Sequence, residues 1–429
     1  MKVLFVYPGF QRHSQAHPEL LDYVPMNEYL GSPSLGFACL AAMTPAHWEV
    51  EFRDDRLAPA DTPTDADLVA FSFFTAAASR AFALGDYFRA QGKPTVAGGI
   101  FPTAMPNETQ PHFDSVVIGE GEGVWGQLLR DAEAKQLKPR YDPVPCTLAA
   151  LPLPKVSLYI DREGPGFSPD DYPVQLSRGC PLSCHSCILP VSMTKTLHEF
   201  PLEHVIGQLD QLAAKGKRAC LTEDTSWLPG KGNRLLSSLF DHLIAKGQAA
   251  CVSYVGISMT MILATPLSLM EKARRAGIDM FYLVGGFDPV TQRAFTGQDP
   301  KALARAHAAI AKCREAGIEP YTSFLYGQDQ DDEGTVDRML EFAAAAGIKK
   351  AEFAIFTPYP GTPSWTRLVA EDRILTRDWG LFNDANCVYR PAQLDRAQVT
   401  QGYLRLWREF YADKRHFLAA SHQERTIQF

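Results

Sequence analysis

The sequence predicts an α/β protein: a doubly wound parallel sheet, then a partial barrel of six βα units and a small, mostly helical C-terminal segment. Short apolar strands alternate with amphipathic helices over most of the 429 residues. Many of these strands end in glycine, hydroxyl or acidic residues, at the positions where parallel sheets bind ligands. A proline-rich stretch without a periodic apolar pattern separates the two units.

The N-terminal unit, residues 1–135, is predicted to be a Rossmann-like sheet because strand and helix patterns follow one another. Strands are predicted at Lys2–Tyr7, Trp48–Arg53, Asp67–Ser72, Pro94–Ala97 and Ser115–Ile118, and helices at Phe37–Met43, Ala76–Gln91 and Val124–Glu133. The candidate ligand contacts at or after strand ends are Ser72, Thr75, Gly98, Gly99, Gly119 and Glu120. Hydroxyls and bare backbone suit a ligand with a long nucleotide tail, although glycines after strands are also common turn formers.

Residues 136–170 are predicted to be a proline-rich connecting strap, and from 171 to 375 the strand–helix alternation resumes. Strands are predicted at Pro173–Ser177, Arg218–Thr222, Ala250–Ile257, Met280–Val284, Pro320–Leu325 and Lys350–Phe356. Helices are predicted at Leu202–Lys215, Asn233–Gly247, Leu267–Ala276, Lys301–Ala316 and Asp332–Ala346. Six units indicate a barrel that is open on one side, with its site at the carboxyl ends of the strands.

The loop after the first predicted barrel strand contains a C-x3-C-x2-C motif, formed by Cys180, Cys184 and Cys187. Three thiolates can bind three irons of a [4Fe–4S] cluster and leave the fourth iron open to a small chelating molecule. A structural zinc site needs four ligands, and a ferredoxin site has a different spacing and a fourth cysteine. A disulfide framework is not expected in a chain of this length without a secretory signal. Zinc binding and coincidence stay open as alternatives.

The cysteine loop and the strand ends around it resemble the cobalamin-dependent radical S-adenosylmethionine enzymes, over about residues 1–375. The likeness is carried by Gly31–Gly36, Ala97–Thr103, Val117–Glu122, Tyr321–Gly327 and Phe356–Pro363. The resemblance implies a [4Fe–4S] cluster on the three cysteines, S-adenosylmethionine on the open iron, and cobalamin on the N-terminal domain. It also implies S-adenosylmethionine contacts at Glu223, Asp224, Gly285, Gly286, Ser323 and Thr357. Each of these residues could instead simply cap or turn at a strand end.

The sequence departs from the family pattern at three places. Ser186 stands before the third cysteine, where the family usually has an aromatic residue near the adenine. Thr222–Asp224 replaces the Gly-Gly-Glu of the wider superfamily. The first loop, Gly9–Gln15, lacks the Asp-x-His-x-x-Gly segment that provides a cobalt ligand in many cobalamin domains. We therefore expect no protein histidine below the cobalt.

The resemblance implies a methyltransferase that transfers a methyl group from methylcobalamin to an unactivated carbon, through a 5′-deoxyadenosyl radical. The expected substrate is a small molecule or natural product, and the expected electron donor is a flavodoxin or ferredoxin. Oxidative cyclisation or ring rearrangement without methyl transfer is the alternative within the family. A cobalamin- or redox-responsive sensor is the alternative outside enzymes.

Composition and charge fit a cytoplasmic globular enzyme. The net charge is −7 without a dense basic run, which argues against nucleic acid as a partner. We expect no transmembrane segment, because no apolar run is long enough, and Met1–Pro8 is too short for a signal peptide. The last segment, 376–429, contains a predicted amphipathic helix at Asp395–Tyr411. The resemblance places this segment over the barrel mouth, where it would help to hold substrate.

Overall fold

The architecture is that of a computed structural model. It describes residues 1–24, 33–164, 167–169, 171–182, 184–221, 227–228, 231–247, 252–283 and 289–414. Four of the predicted S-adenosylmethionine contacts, Glu223, Asp224, Gly285 and Gly286, lie outside the described residues. Two six-stranded parallel sheets form the framework of the protein.

The first sheet confirms the predicted doubly wound unit. Its strands are β1 (Lys2–Tyr7), β2 (Glu49–Asp54), β3 (Leu68–Ser72), β4 (Thr95–Gly98), β5 (Ser115–Val117) and β6 (Arg140–Tyr141), in the order β2-β1-β3-β4-β5-β6. Its helices are α1 (His13–Ala16), α2 (Leu35–Met43), α3 (Ala78–Ala90), α4 (Ile100–Ala104), α5 (Pro106–Thr109) and α6 (Glu122–Glu133). Val3 to Tyr7 is buried throughout. A strand covered on both faces is continuously apolar, which is why the sequence pattern found it.

The predicted strap packs on this first unit. Its residues Arg140–Tyr141 form β6 beside β5, so the sheet extends beyond residue 135. The short helix α7 (Ser157–Ile160) carries Tyr159, whose hydroxyl donates to Ser34 O at 2.7 Å and accepts from Ala38 N at 3.1 Å. The domain boundaries themselves stay predictions.

The second sheet confirms the partial barrel. After β7 (Asp171–Pro173) come β8 (Ser177–Arg178), β9 (His198–Glu199), β10 (Arg218–Leu221), β11 (Val252–Ile257), β12 (Met280–Leu283), β13 (Glu319–Tyr326) and β14 (Lys350–Ile355). Six of these strands form the parallel sheet in the order β14-β13-β12-β11-β10-β7, while β8 and β9 pair with each other. The helices are α8 (Leu189–Ser192), α9 (Leu202–Ala214), α10 (Lys231–Lys246), α11 (Met259–Ala264), α12 (Leu267–Arg275), α13 (Pro289–Ala294), α14 (Pro300–Glu315), α15 (Thr335–Ala345) and α16 (Pro363–Ala370).

The predicted strand Pro173–Ser177 is wrong in its extent, because the chain leaves the barrel sheet early. Val174 N still donates to Cys220 O, at 3.1 Å, but Ser177 pairs antiparallel with β9. Val174 and Leu176 are both buried. Two buried apolar side chains two residues apart look like one strand in the sequence, although here they lie between two strands. The cysteine loop therefore starts from the β8–β9 hairpin.

The C-terminal helix α17 (Arg396–Phe410) packs along the edge strand β14. The Phe353 ring of that strand lies 5.4 Å from Trp407 and 5.5 Å from Phe410, measured between centroids. The helix covers an edge that would otherwise expose unpaired backbone groups. Across the described part of the chain, no helix is both long enough and apolar enough to cross a bilayer.

Candidate active site

A cavity of about 260 Å³ opens at the carboxyl ends of β3, β4 and β5. Five predicted contacts line it: Ser72, Gly98, Gly99, Gly119 and Glu120. Sequence reasoning missed other lining residues, among them Cys39, Thr103, Trp125, Gln175, Arg178 and Met193. A mostly apolar cavity with a few polar groups is the usual form of a cofactor site. The predicted residue Thr75 is not among the lining residues, since it is buried in the 3-10 turn Thr75–Ala77.

The wall of this cavity is partly bare backbone. Gly99 has a φ of +100°, and a Cβ there would lie 2.8 Å from both the nitrogen and the oxygen of Phe73. Only glycine therefore allows the loop after β4 to lie against the loop after β3. Gly36 and Gly98 also line the cavity without side chains. A broad surface of backbone and hydroxyl groups fits a large ligand with polar amides on its rim, as cobalamin has.

His13, one of two histidines in the first loop region, is fully engaged away from the cavity. Its Nε2 lies 2.9 Å from Asn383 O and its Nδ1 lies 2.8 Å from the Tyr403 hydroxyl. Burial lowers the pKa of His13 to about 3, so the ring is neutral, donating through Nε2 and accepting through Nδ1. His13 could bind a metal only by giving up one of these bonds, which supports the expectation that it is not a cobalt ligand. His17 also bonds to this segment, at 2.7 Å from Ala385 O.

The cysteine loop is held by backbone contacts at its first residue. Cys180 is buried, and its N–H donates to Thr194 O at 3.1 Å. Gly179 has a φ of +86°, and a Cβ there would lie 2.1 Å from Thr196 O. Cys184 and Cys187 are partly exposed. Within the described residues, no three His, Cys, Asp or Glu side chains converge on a point as ligands of one metal ion do. A cluster instead takes one thiolate for each iron.

Ser186 joins the cysteine loop to the start of α16. Its hydroxyl lies 3.1 Å from the hydroxyl of Ser364, which also donates to His185 O at 2.9 Å. Ser186 and His185 line a second, polar cavity of about 210 Å³ together with Gln292, Gln328, Asp329, Gln330, Phe356, Pro363, Ser364 and Arg367. The residue that departs from the family pattern thus anchors the loop instead of presenting an aromatic ring.

The two predicted contacts that the structure describes in the barrel, Ser323 and Thr357, each bond to an acid that is partly buried. Ser323 on β13 hydrogen-bonds to Glu352 on β14, which also accepts a bond from the Tyr282 hydroxyl. Thr357 follows β14 and hydrogen-bonds to Asp384. Burial raises the pKa of Glu352, and it raises the pKa of Asp384 to about 6. Ser323 and Thr357 thus lie at two neighbouring strands, and their contact with S-adenosylmethionine stays a prediction.

Comparison with known proteins gives the same picture as the geometry. Residues 30–129 match the B12 binding domain family. Over 401 residues the chain is 25% identical to the bacteriochlorophyllide d C-12(1)-methyltransferase of Chlorobaculum tepidum, covering 89% of this chain and 83% of the relative. The chain is therefore similar to B12 binding domains in its N-terminal part, and to a methyltransferase over most of its length.

Another relative of this chain is the anaerobic magnesium-protoporphyrin IX monomethyl ester cyclase of Cereibacter sphaeroides. The two are 24% identical over 351 residues, which cover 75% of this chain and 56% of the cyclase. The fold is similar to that of the radical S-adenosylmethionine methyltransferase TsrM from Kitasatospora setae, solved with cobalamin and a [4Fe–4S] cluster bound. That likeness has a TM-score of 0.60 and 16% identity, and covers 86% of this chain and 78% of TsrM.

TsrM structures contain the three kinds of cofactor predicted here: cobalamin and a [4Fe–4S] cluster in one structure, and an S-adenosylmethionine analogue in another. The cavity above β3–β5 is lined mostly by residues of the segment that matches the B12 binding domain. The three cysteines lie on a loop that starts beside that cavity, since Arg178 lines it and Cys180 follows two residues later.

Proposed function

We propose that this enzyme transfers a methyl group to an unactivated carbon of a small-molecule or natural-product substrate. The observation that carries the proposal is the shared wall of the two cofactor regions. Glu120 and Arg178 line one cavity, although Glu120 follows a strand of the first sheet and Arg178 precedes the first cysteine. A cofactor bound in this cavity would therefore lie next to a cluster held by the cysteine loop.

When bound, the cluster with S-adenosylmethionine supplies a 5′-deoxyadenosyl radical that removes a substrate hydrogen atom, and cobalamin supplies the methyl group. The chain's own residues hold these groups in contact distance. Cys180, Cys184 and Cys187 bind the cluster. Ser323 and Thr357 contact S-adenosylmethionine, together with Glu223, Asp224, Gly285 and Gly286.

The segment around Asp384 limits the entry of water at the end of β14. Asp384 O accepts from Ile355 N at 2.6 Å, and its carboxylate accepts from the Tyr359 hydroxyl at 2.8 Å. Closing the mouth in this way protects a radical from side reactions. We place residues 376–429 at the substrate for this reason. We also propose a cytoplasmic enzyme that is reduced by a flavodoxin or ferredoxin and has no nucleic-acid partner.

The test is an anaerobic product assay of the protein reconstituted with iron, sulfide and cobalamin under strong reduction. Methyl transfer predicts formation of S-adenosylhomocysteine that depends on cobalamin. With the substrate present, it predicts one 5′-deoxyadenosine and one S-adenosylhomocysteine for each methylated product.

The same assay separates the alternatives. The relationship to a cyclase supports ring closure without methyl transfer as the second candidate. Formation of 5′-deoxyadenosine without any S-adenosylhomocysteine would favour that cyclase. Absence of both products from a cluster-loaded, reduced protein would favour a sensor.

A further inference from the structure

Arg178 connects the cysteine loop to the cobalamin cavity. It lies on β8, two residues before Cys180. Its Nη2 is 2.7 Å from Glu122 Oε1 and its Nη1 is 3.3 Å from Glu120 Oε1. Both glutamates follow β5 and line the cavity. Because Arg178 and Glu122 are each only 8% exposed, this ion pair joins the β8–β9 hairpin to the start of α6 in a nearly dry setting.

The remaining edges of the Arg178 guanidinium are also occupied. The Gln175 side-chain oxygen accepts from Nε at 3.3 Å and from Nη2 at 3.2 Å. The Cys39 thiol, which lines the cavity from α2, is a further hydrogen-bond partner. The Phe200 ring lies 5.7 Å from the guanidinium carbon. Because the Arg178 guanidinium is planar and has partners on all sides, it can adopt only one orientation. The ammonium group of a lysine would not be fixed in this way.

A buried ion pair is weak evidence for stability, because an apolar replacement of similar shape is often as stable. Its better-attested use is to specify one geometry among several. Here the ion pair would specify the position of the Gly119–Glu122 turn, on the cobalamin side, relative to the start of the cysteine loop, on the cluster side.

We propose that Arg178 is a positioning residue that couples the two cofactor sites. By pairing with Glu122 and Glu120, it sets the cobalamin cavity against the cysteine loop, so that occupation of one site strengthens binding at the other. The proposal rests on the cofactor assignment and not on methyl transfer. Because coupling is reciprocal, either cofactor can report it.

The experiment measures the affinity of hydroxocobalamin for the full chain, once free of iron and once with the cluster reconstituted. We expect the cluster-loaded wild type to bind at least about fivefold more tightly, the lower end of common coupling. Arg178→Gln and Glu122→Gln should each bring this ratio close to one. The double variant should lower the affinity ratio no further than either single variant, since both changes remove the same ion pair. Arg178→Lys should retain only part of the ratio.

The matched control is Lys217→Gln. Lys217 and Glu163 form another little-exposed pair, at 2.6 Å with 13% and 10% exposure, which joins the strap to the barrel away from the cobalamin cavity. This change should lower the unfolding midpoint and leave the affinity ratio unchanged. Glu122→Gln retains the side-chain size and serves if Arg178→Gln does not fold.

A wild-type ratio of one, or a full ratio in both Arg178→Gln and Glu122→Gln, would overturn the coupling. These outcomes are independent of the product assay. A protein with intact coupling and no methylated product would count only against the proposed function.

Discussion

The two cofactor regions differ in how they stabilise their buried carboxyl groups. At the cobalamin cavity, Glu120 and Glu122 face the guanidinium of Arg178. In the barrel, Glu352 and Asp384 bond to hydroxyl groups, and among the described residues no Lys, Arg or His forms an ion pair with either.

The consequence is a difference in response to pH. Arginine does not lose its proton in proteins, so the pair at the first cavity includes a permanent cation. Among the described residues, Glu352 and Asp384 have no such cation, and burial raises the pKa of both. We conclude that the wall between the cofactor regions contains a permanent ion pair, whereas the described acids of the barrel are held by hydroxyl groups.

The largest effect is expected from removal of the cluster ligands, which lie on the barrel side of this comparison. Replacement of Cys180, Cys184 or Cys187 by Ala removes a thiolate that has no substitute on the loop. We expect iron content to fall and S-adenosylmethionine cleavage to drop to background, measured by iron analysis and 5′-deoxyadenosine formation. Cys313→Ala, at a buried cysteine of α14, should cost only about 1 kcal/mol of stability and retain the iron.

The next largest effect is expected at the cobalamin cavity, whose wall is partly backbone. Gly99→Ala forces a side chain into contact with Phe73 at a φ that favours glycine. We expect a loss of about 2–4 kcal/mol in the free energy of unfolding, measured with denaturant, together with weaker cobalamin binding. Gly92→Ala is the control, because φ is +68° there but no atom lies within 4 Å of a Cβ. It should cost about 1 kcal/mol and leave cobalamin binding unchanged. Equal costs at the two glycines would contradict the close approach.

The variant Asp384→Asn tests whether the carboxyl group of Asp384 titrates in the folded protein. The pKa of Asp384 is raised from 3.8 to about 6, so the folded protein retains a proton that the unfolded chain releases. The stability from this proton is therefore complete below about pH 4 and is lost as pH rises through about 6. The loss is at most about 3 kcal/mol. Asn cannot ionise, so unfolding midpoints of the variant should change less than those of wild type between about pH 4 and 6.

Asp331 provides an internal control for that measurement. Burial raises its pKa to about 7, although two backbone N–H groups, of Gly327 and Gln328, each donate to it at 2.8 Å. Its contribution should persist in Asp384→Asn up to about pH 7. An identical pH profile for wild type and variant would show that Asp384 is not the titrating group.

The smallest effect is expected at the contact between the cysteine loop and α16. Ser186→Ala removes one hydroxyl–hydroxyl bond and should cost about 1 kcal/mol. Ser364→Ala should cost more, because Ser364 also bonds to His185 O. A double-mutant cycle on unfolding free energy should give a coupling of about 0.5–1 kcal/mol. Loss of cluster iron in Ser186→Ala would mean that this serine supports ligation as well as packing.

Much of the fold was predictable because its signals are local. The buried strands β1 and β3 are continuously apolar, and the helices between them have periodic apolar faces. The cysteine spacing is local too, so the cluster loop could be predicted without knowledge of its surroundings. The split at Pro173–Ser177 could not, because Ser177 is drawn to a partner strand more than twenty residues away.

The site residues also divide into those that local sequence signals predict and those that depend on distant partners. Ser72, Gly98 and Gly119 could be selected as strand ends, and the structure brings all three to one cavity. No sequence signal distinguishes Arg178 from other arginines, because its partners lie 56 and 58 residues earlier in the chain. The hydrogen bonds of His13 could not be predicted either, because its partners Asn383 and Tyr403 are 370 and 390 residues away.

The sequence by itself determined the two α/β units, the three cluster ligands and the strand-end glycines, because each depends on short-range spacing or backbone conformation. Only the tertiary structure decided that Arg178 joins the two cofactor regions, that His13 bonds to the C-terminal segment, and that Glu352 and Asp384 bond to hydroxyl groups, with no arginine or lysine paired to either among the described residues. Those properties depend on which charges meet in a buried place, and this is set by the packing of distant elements and not by the order of residues along the chain.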